Sequence, residues 1–248
     1  MAKRVRTGAK RGVRAISAPD QHADAEDVLD RICNTLATAI SGGALKPGTK
    51  ILDDVIADRF GVSRTVVRGA IDILRRDHLL ERKRNRGAFV AVPSVAEAKQ
   101  LFEARHALER GILALVVERA SDDGLDHLET LNEEEAHLPE NSGNGARPGH
   151  APQFHVELAK LGENDLLTEV LVKVLARVAL VNAVYEVEPR DNCGDHRNII
   201  AALRRRDLAA AQKQMDGHLT DLEGRVRLTP TEGDHQSFVN VIETFSAK

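Results

Sequence analysis

Two histidines, His196 and His218, stand 22 positions apart at the ends of HRNIIAALRRRDLAAAQKQMDGH. A neutral imidazole is a metal ligand, a proton carrier or a buried polar group. In one straight helix the pair would lie roughly 33 Å apart, at about 1.5 Å per residue, and could share no ligand. Asp207, which follows three arginines, can cap a new helix. The stretch therefore reads as two helices folded back on each other, with both histidines at one end of the hairpin. A third, His155 in HAPQFHVEL, lies on an amphipathic segment beside Phe154 and Leu158 and can face the same interior. Three neutral imidazoles suit Zn²⁺, Ni²⁺ or a similar borderline cation. A metal-free site in which they bond the ligand directly is the second reading, and core histidines the third.

A second group of residues suits a polyanion. In DDVIADRFGVSRTVVRGAIDILRRD, Ala57 is a small residue at a helix contact and Gly61 makes a tight turn four residues later. Ile56, Phe60, Val62 and Val67 are apolar pins, which is the steric pattern of a helix-turn-helix. Ser63 is the expected cap of the second helix, whose first turns present Arg64, Thr65 and Arg68. Arginine can pair bidentately with guanine, and threonine can bond phosphate or touch a thymine methyl. Beyond that helix, ERKRNRG places Arg82, Lys83, Arg84 and Arg86 before Gly87 at the tip of a hairpin, as the wing of a winged helix does.

The elements that must position these groups follow from periodicity. Val28, Ile32, Leu36 and Ile40 recur every four residues and mark a helix that Gly42 and Gly43 end. Short helices on either side of Gly61 and a hairpin closed by Pro93 complete the first unit. After Ser94, which caps a long helix, the chain reads as helices with no strand pattern. These are SVAEAKQLFEARHALERGILALVVERA, DDGLDHLETLNEEEAHL, HAPQFHVELAKL, the apolar NDLLTEVLVKVLARVALVNAVYEV and the two helices around Asp207, with a loop, PENSGNGARPG, before His150. The expected architecture is mainly α. Residues 1–20 form a disordered basic arm, 21–93 a winged helix, 94–226 an antiparallel all-α bundle for effector binding and dimerisation, and 227–248 a C-terminal tail.

Charge divides in the same place. Residues 1–93 carry 18 Lys and Arg against 11 Asp and Glu, whereas residues 94–248 carry 17 against 27. One part is built to meet a polyanion and the other is not. Hydrophobic residues make up 42% of the chain and charged ones 29%, as in soluble globular proteins. The two cysteines, Cys33 and Cys193, give neither a disulfide framework nor a CxxC site, which points to a reducing compartment, the cytoplasm. No apolar run is long enough to span a bilayer, and the basic N-terminus lacks the apolar segment of a secretory signal.

The segments GGALKPGTKI, IADRFGVSRTVVRGAIDILRRDHLL and RGAFVAV resemble the N-terminal domain of GntR-type bacterial transcription regulators over about residues 24–93. Val66 stands where that family usually has Pro, and Gly69 where it usually has Glu; neither is a base-reading position. FEARHALERGILA, QFHVELAKLGENDLL and DHRNIIAALRRRDLAAAQKQMDGHL resemble the ligand-binding domain of its FadR-like, or FCD, branch. That resemblance implies an antiparallel bundle holding a divalent metal, Zn²⁺ or Ni²⁺, through one Asp and three His, here His155, His196 and His218. The Asp position is Ala151, one turn before His155, and His150 is about 100° round the helix from it. Arg105 matches the arginine of the branch's R-x-x-L-E pattern and, with Arg177 on the apolar helix, is a candidate for binding the carboxylate of a small organic acid effector. A salt bridge to Glu109, one turn away, is the alternative for Arg105.

These features imply a non-enzymatic, dimeric regulator of transcription that binds a palindromic operator in double-stranded DNA, by family habit as a repressor. An architectural DNA-binding protein with a degenerate effector pocket is the alternative. A metal-dependent hydrolase fits less well, because no general base, nucleophile elbow or phosphate loop accompanies the histidines.

Overall fold

The computed structural model describes residues 21–136, 150–188, 193–230 and 238–246. The expected basic arm and the PENSGNGARPG loop lie outside them. Among the described residues the chain is mainly helical, with two small antiparallel sheets.

The winged helix begins with α1 (Gln21–Ser41), whose Ile32, Leu36 and Ile40 form a fully buried stripe. α2 (Asp53–Phe60) ends at Gly61, which takes the left-handed conformation at φ 65° and returns its N–H to Ala57 O. A residue with a Cβ would be strained there. α3 (Arg64–Arg76) starts at Ser63, whose side chain accepts from Val66 N–H. β1 (Leu80–Lys83) pairs with β2 (Gly87–Val90) around residues 84–86, with Lys83 opposite Gly87. Ile32, Leu36, Ile56, Val67, Ile71, Leu80 and Val90 share one apolar core. Gly69 has a packing reason: a Cβ there would stand 3.2 Å from Leu29 Cδ1, so the glycine lets α3 lie close on α1.

The second unit is a bundle of α4 (Val95–Arg119), α5 (Asp122–Ala136), α6 (His150–Lys160), α7 (Asp165–Val184), α8 (Cys193–Arg204) and α9 (Leu208–Gly224). Ser94, Asn164 and Asp207 cap α4, α7 and α9 through their side chains. Asp207 accepts from Ala210 N–H at 3.0 Å, and the preceding Arg206 turns the chain at φ 55°. α8 and α9 pack as the expected hairpin, with Ile199, Ile200, Leu203, Met215 and Leu219 joined to Leu113, Val116 and Leu125 in a second core.

Two expectations for this half are corrected. The apolar helix stops at Val184, and β3 (Tyr185–Val187) pairs antiparallel with β4 (Val226–Pro230). Tyr185 leaves the helix because its ring is buried and its hydroxyl donates to Pro93 O, 3.0 Å away, at the junction of the two units. Strands this short, paired across some forty residues of chain, leave no local alternation to read. The second correction concerns residues 227–248. They are not only a tail: they hold most of β4 and a helix, α10 (Phe238–Phe245), whose Phe238, Val241 and Ile242 are buried.

Candidate functional site

The helix-turn-helix presents its polar groups outward. Ser63, Arg64, Thr65 and Arg68 are all exposed at the start of α3. Arg64 meets Asp54 at 3.8 Å and Arg68 meets Asp53 at 3.6 Å, with the arginine side chains 64% and 61% exposed. Such long, solvated pairs are weak, so both guanidinium groups can exchange a carboxylate for a phosphate or a base edge. At the wing, Arg84 and Arg86 flank Asn85, which takes φ 57°, and Gly87 takes φ 97°. Lys83 and Arg86 lie over the Phe89 ring at 4.8 and 5.5 Å, which holds the base of the wing in place. Lys50, bridged to Phe89 and close to Gly87, adds a cation beside the wing that the sequence reading missed. The signal was thin, since Lys50 stands outside any strand-like run.

In the bundle the structure gathers the three histidines. His155 on α6, His196 on α8 and His218 on α9 are at most 3% exposed. Each brings a ring nitrogen within 4.8 Å of those of the other two. His155 Nε2 and His218 Nε2 stand 3.3 Å apart. Two Zn–N bonds of 2.0–2.1 Å at a tetrahedral angle would separate their nitrogens by about 3.3 Å. Phe154 fixes the third ring, lying parallel to His196 with centroids 3.8 Å apart.

Carboxylates back the cluster. Glu109 on α4 meets His155 Nδ1 in a short contact. Asp195 Oδ2 lies 3.4 Å from His218 Nδ1, and Glu135 Oε2 lies 3.9 Å from His196 Nδ1. A carboxylate at Nδ1 selects the tautomer that turns the Nε2 lone pair the other way, and such partners orient metal-binding histidines. For His155 and His218 that tautomer would set two lone pairs face to face, a contact that a cation or a proton resolves. Against the three carboxylates stands one buried guanidinium: Arg105 Nε donates to Glu109 Oε1 at 2.6 Å. Arg225, the other cation near His218, is paired with Asp221, so the surroundings stay net anionic, which suits a cation.

The titrations follow from burial. Burial alone would raise the Glu109 carboxyl, but the hydrogen bond from His155 and the adjacent Arg105 guanidinium outweigh it and hold it well below the usual carboxylate range. Burial lowers His155 despite the pull of Glu109. Burial also lowers His218, helped by the neighbouring His155, His196 and Arg105. Burial thus disfavours the charged forms of His155 and His218, which favours coordination through their ring nitrogens.

Not every expected residue joins the cluster. Arg177 does not. Its guanidinium donates to Glu97 Oε1 at 2.5 Å, two helical turns before Arg105 on α4, because α7 crosses α4 near that helix's start. Ala151 lies in the first turn of α6, four residues before His155. Glu109 was foreseeable as the partner of Arg105, but not as the partner of His155, 46 residues away.

Two family models match the chain: bacterial regulatory proteins of the gntR family over residues 29–90, and the FCD domain over residues 100–221. The chain is 27% identical over 217 residues to the HTH-type transcriptional regulator LutR of Bacillus subtilis, covering 74% of this chain and 94% of that protein. It is 28% identical over 229 residues to the Uxu operon regulator of Haemophilus influenzae, covering 83% of this chain and 84% of that one. The fold matches Escherichia coli McbR/YncC with a TM-score of 0.67 at 20% identity, over 78% of this chain and 94% of that one. No helix among the described residues is long and apolar enough to cross a membrane.

Proposed function

The chain belongs to the GntR family of bacterial regulatory proteins, with the FCD domain of its FadR-like branch, and is a DNA-binding transcriptional regulator of that type; from that premise we propose a repressor whose operator affinity is set by a divalent metal and a small organic acid in the helical domain. Two copies would place two α3 helices on the half-sites of a palindromic operator in the cytoplasm. Arg64, Thr65 and Arg68, capped by Ser63, would read the major groove, while Arg84, Arg86 and the Gly87 turn would contact the backbone.

One observation carries the metal: three buried imidazoles converge, and each has a carboxylate near Nδ1. His155, His196 and His218 would hold Zn²⁺, with Ni²⁺ as the other candidate. The ion would supply a buried positive charge to which an effector carboxylate can bind. Arg105 is positioned to take part, since an effector anion would compete with Glu109 for its guanidinium. Arg177, tied to Glu97, would contribute only if that pair opened. The relatives named above are transcriptional or operon regulators by name, which supports a binding role for the histidines.

Elemental analysis of untagged protein tests the metal. We expect about one Zn or Ni per chain, lost in His196→Ala, and tighter binding in Ala151→Asp, which restores a carboxylate one turn from His155. Protein that holds no metal, with no rise in melting temperature when Zn²⁺ or Ni²⁺ is added, would leave a metal-free effector site.

A further inference from the structure

α10 (Phe238–Phe245) lies outside both family matches, the later of which ends at residue 221. It nevertheless completes the core of the winged helix. Phe238, Val241 and Ile242 are buried in the same cluster as Ile32, Leu36, Ile56 and Ala57, with Phe245 packed against it. The helix rests on α1 and on α2, the first helix of the helix-turn-helix. Arg59, two residues before Gly61, reaches the end of α10: its Nε donates to Ser246 Oγ at 2.5 Å and its guanidinium to Glu243 O at 3.3 Å. That contact satisfies a carbonyl the helix would otherwise leave open.

The other end of this segment belongs to the bundle. α9 carries His218 and runs directly into β4, which pairs with β3 beside the Tyr185–Pro93 hydrogen bond. Other ties between the units include α7, where Leu180 enters the winged-helix core and Lys173 meets Asp77 at 3.4 Å. Domains joined through modest contacts move relative to each other unless an apolar interface restrains them.

We propose that α10 is a latch: a C-terminal helix that restrains the winged helix against the bundle and so sets the half-site spacing the regulator accepts. The latch occupies an apolar face formed by α1 and α2, and Arg59 fastens its end. Because Phe238, Val241 and Ile242 share their apolar cluster with Leu180 and Ala176 of α7, a shift of the bundle would reach the helix-turn-helix through that core.

The test compares the full chain with a chain ending at Pro230 and with Ile242→Asp, which puts a charge into the buried face. Val239→Asp, at an exposed position of α10, is the control. Two readouts are needed. Hydrogen exchange at the contact between α7 and α1 should rise in both latch variants and stay unchanged in the control. Operators selected from random duplexes with the full chain should lose about tenfold in affinity when the half-site spacing changes by one or two base pairs. The latch variants should lose that discrimination while binding a single half-site as before.

Unchanged exchange, or spacing discrimination kept in full, would overturn the latch. So would loss of single half-site binding together with a collapsed melting temperature, which would make α10 merely part of the winged-helix core. The spacing readout rests on the dimeric operator reading. A full chain that sediments as a monomer on its operator refutes that reading, and the exchange experiment then decides the latch alone.

Discussion

Arg68 in the winged helix keeps 61% of its side chain in solvent and meets Asp53 at 3.6 Å. Arg105 in the bundle keeps 9% and meets Glu109 at 2.6 Å. The same pair of residue types serves opposite ends. The solvated pair costs little to open, so a DNA phosphate can replace the carboxylate. The buried pair cannot lose one member cheaply, because the other would remain charged in an apolar interior. Near it, buried histidines are held by packing and by carboxylates. On the proposed reading, DNA recognition would use exchangeable surface charge, and the histidine cluster a preorganised interior.

The largest effect should come from breaking the interior pair. Glu109→Leu leaves Arg105 buried without its partner and removes the acceptor at His155 Nδ1. The expected loss is about 3–5 kcal/mol, or roughly 6–20 °C in melting temperature at this chain length. Arg105→Leu combined with Glu109→Leu should recover much of it, since replacing a whole buried pair by apolar groups is often near neutral. A cost below about 1 kcal/mol, typical of a solvated pair, would show that water reaches the cluster and would erase the contrast between the two regions.

Acid should separate the regions next. His155 and His218 have folded pKa values below 6.5, chiefly because burial disfavours their charged form. Below pH 6.5 the unfolded chain takes up protons that the folded chain does not, so their stabilising contribution holds above that pH and is lost as pH falls. In metal-stripped protein each histidine should cost up to about 1.4 kcal/mol per pH unit in that window. Glu109 does not offset this, because its carboxyl, held below the usual carboxylate range, stays ionised between pH 7 and 5. Melts between pH 7 and 5 should show a steep fall that flattens in His218→Gln. A flat profile in the parent protein would mean that the histidines are solvated.

Sequence distance explains which features could be read in advance. Gly61, Ser63 and the apolar pins of the helix-turn-helix lie within a dozen residues, and turn and cap chemistry is local, so that unit was legible to the residue. The α8–α9 hairpin was legible for the same reason: Asp207 caps the second helix where expected, and His196 and His218 meet. The carboxylates behind the histidines were not, because Glu109 and Glu135 reach them from other helices across long stretches of chain. The pairing of β3 with β4 and the docking of α10 on α2 rest on tertiary contacts that no periodicity announces.

The smallest effect tests whether surface charge is as exchangeable as the comparison requires. Arg68→Ala should weaken operator binding by about 1–3 kcal/mol if the guanidinium reads a base, with a stability change below about 1 kcal/mol because its pair with Asp53 is solvated. Arg64→Ala should behave alike through its pair with Asp54. Asp53→Asn should leave the melting temperature nearly unchanged and tighten binding to unrelated duplexes, since it removes a competing anion beside the phosphates. That gain should shrink as salt is raised, as phosphate contacts do. Titration by fluorescence anisotropy at two salt concentrations reads both quantities. If Asp53→Asn instead lowered operator affinity, Asp53 would be orienting Arg68 for the base edge. The exposed pair would then be preorganised like the buried one, and the contrast drawn between the two arginines would narrow to burial alone.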